Sequence, residues 1–167
     1  MEKMMDQECC FTREKSWFRY RTGAIIVEDG KVLFAKSRSV EYFYTVGGGV
    51  HLGESAEDCV RREVFEETGV PYEVDRLALI CENFFVGNEG VIDGLDCHTI
   101  EMYFVMKSRG DTRLNSHSYN KYDELEELCW IPIEEIGSYD IRPSFIRSRI
   151  REIIDTKNII HVVTSGK

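Results

Sequence analysis

The 167-residue chain lacks the marks of several protein classes. No stretch reaches the length and apolarity of a membrane-spanning helix. The opening MEKMMDQECCFTREKS has no apolar signal core, so no targeting segment is expected. The six cysteines, Cys9, Cys10, Cys59, Cys81, Cys97 and Cys129, show neither Cys-x-x-Cys spacing nor the density of a disulfide scaffold. A cytoplasmic, reducing setting is the simpler reading, and the paired Cys9 and Cys10, with no nearby His, receive no role. There is no internal repeat and no low-complexity tract. Positive charge is scarce too: 21 Lys and Arg against 30 Asp and Glu leave a formal net charge of −9. That balance argues against broad binding to nucleic acid or to an anionic membrane. A polyphosphate would then be gripped through metal ions and a few local basic residues.

What is present suits one globular domain: 43% of residues are hydrophobic and 31% charged, at a length that allows a substantial core. Residues 1–15 are polar and aperiodic and read as a flexible tail or a short edge element, leaving 16–167 as the domain. GAIIVEDGKVLFAKS, two β-branched runs around Glu28-Asp29-Gly30, predicts a hairpin. Further strands are expected over Tyr42–Val46, Glu73–Val86, Ile100–Lys107 and Leu128–Ile133, with a short helix opening at IPIEEI. Phe145, Ile146, Ile150, Ile153 and Ile154 recur at helical spacing after Pro143, which predicts a helix over Ser144–Thr156. The terminal IIHVV reads as a small extra strand. Strands and helices mixed without regular βαβ units imply a mixed sheet covered by helices.

The most informative segment is GGVHLGESAEDCVRREVFEETGV, residues 48–70. Ser55 is a good N-cap with Asp58 three residues on, and Gly69 followed by Pro71 is a helix stop, so Ala56–Thr68 is expected to be helical. At about 100° per residue, Ala56, Cys59, Val60, Glu63, Val64 and Glu67 form one stripe. Glu66 flanks it, whereas Glu57, Asp58, Arg61 and Thr68 are assigned to other faces. Acids one turn apart on a core-facing stripe destabilise the helix unless a cation compensates. Hard cations such as Mg2+ take carboxylate, carbonyl and water oxygens and commonly share substrate phosphates. Gly47, Gly48 and Gly49 allow the backbone close to a ligand, and a carbonyl there can join the carboxylates.

Gly48, Glu54, Arg62, Glu63, Val64, Glu66, Glu67, Gly69 and Val70 match the Nudix box, G-x5-E-x7-R-E-U-x-E-E-x-G-U with U aliphatic, at every defined position. The chain therefore resembles the Nudix hydrolases, and RTGAIIVEDGKVLFAKS and ELCWIPIEEI look like that family's opening hairpin and late strand with its short helix. The resemblance implies an α/β/α sandwich with a mixed β-sheet. It implies Mg2+ (or Mn2+) held chiefly by Glu63 and Glu67, with Glu66 assisting and the Gly47 carbonyl as a further donor. Arg62 is expected to fix a box carboxylate and Glu54 to anchor the loop. The general base stays open. Glu63 or Glu66 acting on a water at the metal is the default, and the acidic loop offers His117, Asp123, Glu124, Glu126 and Glu127. Arg19, Tyr20, Arg21, Arg38, Tyr42 and Tyr44 could stack on a base or grip a phosphate, each with an equal claim to ordinary packing. Gly48 and His51 would lie near the phosphates, while His98 and His161 read as structural.

The expected activity is metal-dependent cleavage of the pyrophosphate in a nucleoside diphosphate linked to another moiety, of the nucleotide-sugar or ADP-ribose type. Cleaning of nucleoside triphosphates is the runner-up. A nucleotide-sensing domain without turnover would be expected to lose box acids, and this chain keeps them; a Ca2+-stabilised interaction module ranks last. The substrate is expected to be a small nucleotide-type molecule. Homodimerisation through the hairpin or the tail is compatible with the composition.

Overall fold

The computed structural model describes residues 7–115 and 126–166. Two five-stranded sheets organise them. In the first, the order is β1 (Cys10–Arg13), β2 (Ser16–Ile25), β7 (Asp96–Met106), β6 (Val74–Val86) and β10 (Ile160–Gly166). Its pairings alternate: β1 is antiparallel to β2, β2 parallel to β7, β7 antiparallel to β6, and β6 parallel to β10. The second sheet runs β3 (Val27–Glu28), β4 (Lys31–Ser37), β5 (Phe43–Tyr44) and β9 (Ile141–Arg142), with β8 (Glu126–Pro132) on β4.

The expected hairpin around Asp29-Gly30 is present, with Glu28 opposite Lys31 across the two-residue turn. Its first arm, however, changes sheets at Ile26, so β2 belongs to one sheet and β3 to the other. Helix α1 spans Ala56–Thr68 as predicted, with the Ser55 side chain accepting the Asp58 amide and Gly69 in the left-handed conformation at its end. The second helix, α2, covers Ser144–Asp155, and IPIEEI begins a 3-10 turn over Ile133–Ser138. Alternation along β2 and β4 sends Ile25, Val32 and Phe34 toward α2, and Ala24, Ile26 and Leu33 toward α1. The two sheets therefore share one layer between two helices, the α/β/α sandwich with mixed strands. Val60 and Val64 of α1 are fully buried in it, each worth roughly 1.5–3 kcal/mol.

Three expectations need correction. Thr68, assigned to an outer face, is 0% exposed, because it lies one turn beyond Val64 and its hydroxyl donates to the Val64 carbonyl. Residues 42–46 yield only the short strand β5. From Val46 the chain bonds β2 instead, with Ala24 N–H donating to Val46 O and Thr22 N–H to Gly48 O, both at 2.8 Å. Of the two readings given for residues 1–15, the described part shows the short edge element in place of the flexible tail. Residues 10–13 pair with β2, and Gln7 O and Cys9 N–H bond Leu52 and Val50. No helix among the described residues is long and apolar enough to cross a membrane.

Candidate active site

Helix α1 and the Gly47–Gly49 loop face one another because β2 binds the loop backbone while the apolar stripe of α1 packs on the sheet. The carboxylate of Glu63 stands directly over Gly48. A methyl group there would collide with the Glu63 carboxylate, so glycine is what admits this approach. Glu67 Oε1 accepts the Gly47 amide at 3.0 Å, which ties the helix to the loop by its backbone.

Arg62 organises the acids around it. Its Nε and Nη2 donate to the two oxygens of Glu54 at 2.8 and 2.9 Å, a bidentate pair. Nη1 donates to Glu63 at 2.6 Å and to Glu66 at 3.3 Å, and Nη2 also reaches Gly49 O at 3.2 Å. Glu54 in turn accepts the His51 amide at 3.0 Å. Hydrogen bonds from the Arg62 guanidinium hold the Glu54 carboxyl at a pKa of about 2. Arg62 is thus bonded to Glu54, Glu63 and Glu66, and Glu54 to the loop backbone.

The three box acids are placed differently from one another. Glu66 is 56% exposed at its side chain, Glu63 only 16%. Burial raises the Glu63 carboxyl above its usual range, and it raises Glu67 further, with the charge of Glu126 adding to the effect. Glu67 Oε2 is buried and has no partner among the described residues. A buried carboxylate oxygen left unbonded, flanked by acids, fits a hard divalent cation, since a cation supplies the missing partner and reverses the electrostatic penalty. Among the described residues no three acids, histidines or cysteines converge into a ready-made cation cage; Glu63 is bonded to Arg62 and Glu67 to the Gly47 amide.

Around these acids the sheets supply a wall. Arg21 of β2 lies among the charges of Glu101, Glu67 and Glu63, and its Nε is buried without a partner among the described residues. It balances acids from beneath and is less open to a ligand than a surface arginine. Glu101, 4% exposed, accepts from the hydroxyls of Thr99 and Tyr103 on its own strand. Tyr44 OH donates to Glu126 at 2.7 Å, and burial pushes that phenol up. The Arg142 guanidinium lies 4.2 Å from the centre of the Tyr42 ring, and Tyr42 OH donates to Glu89 at 3.2 Å.

Of the acidic-loop candidates, Glu126 is brought beside Tyr44 and within the field of Glu67. Glu127 lines a groove of about 190 Å³ with Lys36, Arg38 and Glu41. His117, Asp123 and Glu124 lie outside the described residues. Arg38 thus sits in that groove, Tyr20 donates to Met102 Sδ, and Arg19 is engaged by Glu8. His98 stacks on Phe84, and His161 pairs with Glu82. Sequence reasoning gave no role to Glu8, Glu89, Glu101 or Arg142, for none belongs to the motif. The pattern of Arg19 and Arg21 on one strand face was the nearest signal that acids must stand opposite.

An α/β/α sandwich that presents a glycine loop against a helix of glutamates is the frame of hydrolases acting on phosphoanhydrides with divalent cations. The model of the NUDIX domain matches residues 17–155, and the chain belongs to the Nudix hydrolase family. A MutT-like protein of Streptomyces ambofaciens is 38% identical over 61 residues. That match spans 36% of this chain and only 40% of the relative's length. Among solved structures, a mutator MutT protein of Bacillus halodurans aligns with a TM-score of 0.67 at 16% identity, covering 88% of this chain and 90% of that one. An ADP-ribose pyrophosphatase of Streptococcus suis aligns with a TM-score of 0.59 at 13% identity, covering 87% and 98%. At such identities these two likenesses bear on the fold alone.

Proposed function

We propose that the chain hydrolyses the pyrophosphate of a nucleoside diphosphate linked to another moiety, of the nucleotide-sugar or ADP-ribose type, with Mg2+ or Mn2+ as cofactor. The observation that carries this reading is the half-bonded, buried carboxylate of Glu67, set against a glycine loop and beside Glu63. Glu63, Glu67 and, from the rim, Glu66 are the residues that hold the cation, with the Gly47 carbonyl as a further oxygen donor. Held there, a divalent cation would supply polarisation of a phosphoryl oxygen and a lower pKa for an attacking water.

The protein's own groups do the rest. The Gly47–Gly49 backbone, which Glu63 approaches at Gly48, receives the diphosphate. Arg62 and Glu54 keep the carboxylates oriented so that little reorganisation accompanies reaction. Glu63 or Glu66 accepts the proton of the attacking water. Tyr42 and Tyr44, with Arg142 stacked on the former, provide an aromatic and cationic wall suited to a nucleoside.

The test is a panel of nucleotide sugars, ADP-ribose and nucleoside triphosphates in saturating Mg2+ or Mn2+, with products identified. AMP and a sugar phosphate from ADP-ribose support the reading. Pyrophosphate released from triphosphates alone replaces it with triphosphate cleaning, and binding without turnover across the panel replaces it with a sensing domain.

A further inference from the structure

The matched family segment begins at residue 17, yet residues 7–9 are built into the active-site loop. Leu52 N–H donates to Gln7 O at 2.8 Å, Cys9 N–H to Val50 O at 2.7 Å, and Tyr20 N–H to Cys9 O at 2.9 Å. This segment therefore bridges the far end of the glycine loop to β2. Between those bonds, Glu8 pairs with His51 in an isolated antiparallel bridge and turns its carboxylate onto Gly49, where a methyl group would collide with it. Adjacent glycines of the loop are thus each covered by a carboxylate, Gly48 by Glu63 and Gly49 by Glu8.

Arg19 fixes the second of these. Its Nε and Nη2 donate to the two Glu8 oxygens at 3.1 and 3.2 Å, and their side chains are 20% and 36% exposed. A fork-to-fork pair of this type sets orientation as well as distance. The opposite side of the same peptide is held by Arg62, which reaches Gly49 O. The loop is consequently gripped from both sides by Arg–Glu pairs, Arg62–Glu54 from within the box and Arg19–Glu8 from outside it.

We propose that Glu8 is a positioning residue of the active site: clamped by Arg19, it presses on Gly49 and holds the Gly47–Gly49 backbone in the conformation that receives the cation and the diphosphate. The inference rests on the box acids being the cation site. Glu8 does not bind substrate in this account. It acts through the loop and through its negative charge beside Glu63, so its removal loosens the loop and weakens the pull on a cation.

The test uses the full chain with Glu8→Ala, Glu8→Gln and, as reference, Glu67→Gln. Mn2+ binding is followed by calorimetry, and kcat, substrate KM and the Mg2+ concentration for half-maximal rate are measured on whichever substrate the native protein cleaves. Glu8→Ala is expected to weaken Mn2+ binding several-fold and to lower kcat about tenfold, with KM at saturating Mg2+ within about twofold and a melting temperature near native. Glu8→Gln, which keeps the shape and an acceptor for Arg19, should lie between Ala and native, and it carries the test alone if the alanine variant does not fold. Native Mn2+ affinity and kcat in both Glu8 variants overturn the inference, as does a loss of rate that merely follows a loss of folded protein. If Glu67→Gln retains native cation binding, the reading of the site itself fails. If only the Glu8 variants are unchanged, the site stands and the clamp falls.

Discussion

Replacing Glu67 by Gln should make the metal-free protein more stable while removing its activity. The amide oxygen can still accept the Gly47 N–H at 3.0 Å, so the tie between helix and loop survives. What disappears is a carboxylate that burial and the nearby Glu126 and Glu63 charges oppose, and whose Oε2 has no hydrogen-bond partner among the described residues. An unsatisfied buried group costs about 1–3 kcal/mol and a charged one more; the Gln amide leaves a neutral group in the same place, so only the charged excess is relieved, and part of that is offset in the native protein by attraction to Arg21. A net gain of about 1 kcal/mol corresponds to roughly 2–4 °C in melting temperature for a chain of this size.

Adding Mg2+ should reverse the order. At a hundredfold excess over its Kd, a ligand of the folded state adds about 2.7 kcal/mol. That gain goes to the native protein, whose Glu67 can pair with the ion, and largely bypasses the variant. Turnover should fall by about 10²–10³, the loss typical when one preorganised electrostatic contact to the reacting group is removed. Thermal melts with and without Mg2+, beside steady-state rates, decide the matter. A variant that melts lower than native in chelator, or that keeps native turnover, would refute the reasoning.

Three further outcomes follow from the same contacts. The folded-state pKa of Glu54, about 2, lies below its usual value, so the Arg62–Glu54 pair contributes stability above pH ~4.5 that is lost as pH falls toward ~2. The melting difference between native and Glu54→Gln should therefore be full at neutral pH and shrink toward zero across that acid window; a difference that grows on acidification contradicts it. Gly48→Ala places a methyl against the Glu63 carboxylate and should drive that carboxylate off the loop, lowering kcat at least about tenfold while circular dichroism stays native. Tyr44→Phe frees Glu126 from the phenol and removes one polar edge of the wall; the expected effect is a rise in substrate KM larger than the fall in kcat.

Local rules carried much of the site. The cap at Ser55, the stop at Gly69 and the spacing of Glu63, Glu66 and Glu67 depend on residues at most 14 positions apart, so helix geometry alone placed the acids on one arc. The same holds for the hairpin at Asp29-Gly30 and for the apolar face of α2. Sequence reasoning went wrong where partners are distant. β5 is short because residues 46–50 are claimed by β2, and Cys10–Arg13 is a strand because β2 offers it an open edge. Thr68 is buried because the chain at Asn115, far along in sequence, closes over the end of α1 and bonds the Thr68 carbonyl.

The chain's order of residues thus determined that a row of glutamates would lie along one helix behind a glycine loop, because that arrangement needs only a period of 3.6 and two caps. Tertiary structure decided which other charges meet them. Glu8, Arg21, Glu101 and Glu126 come from different strands, or from the segment leading into one, and reach the site only through sheet register, a choice made by the burial of whole faces and invisible in any single stretch.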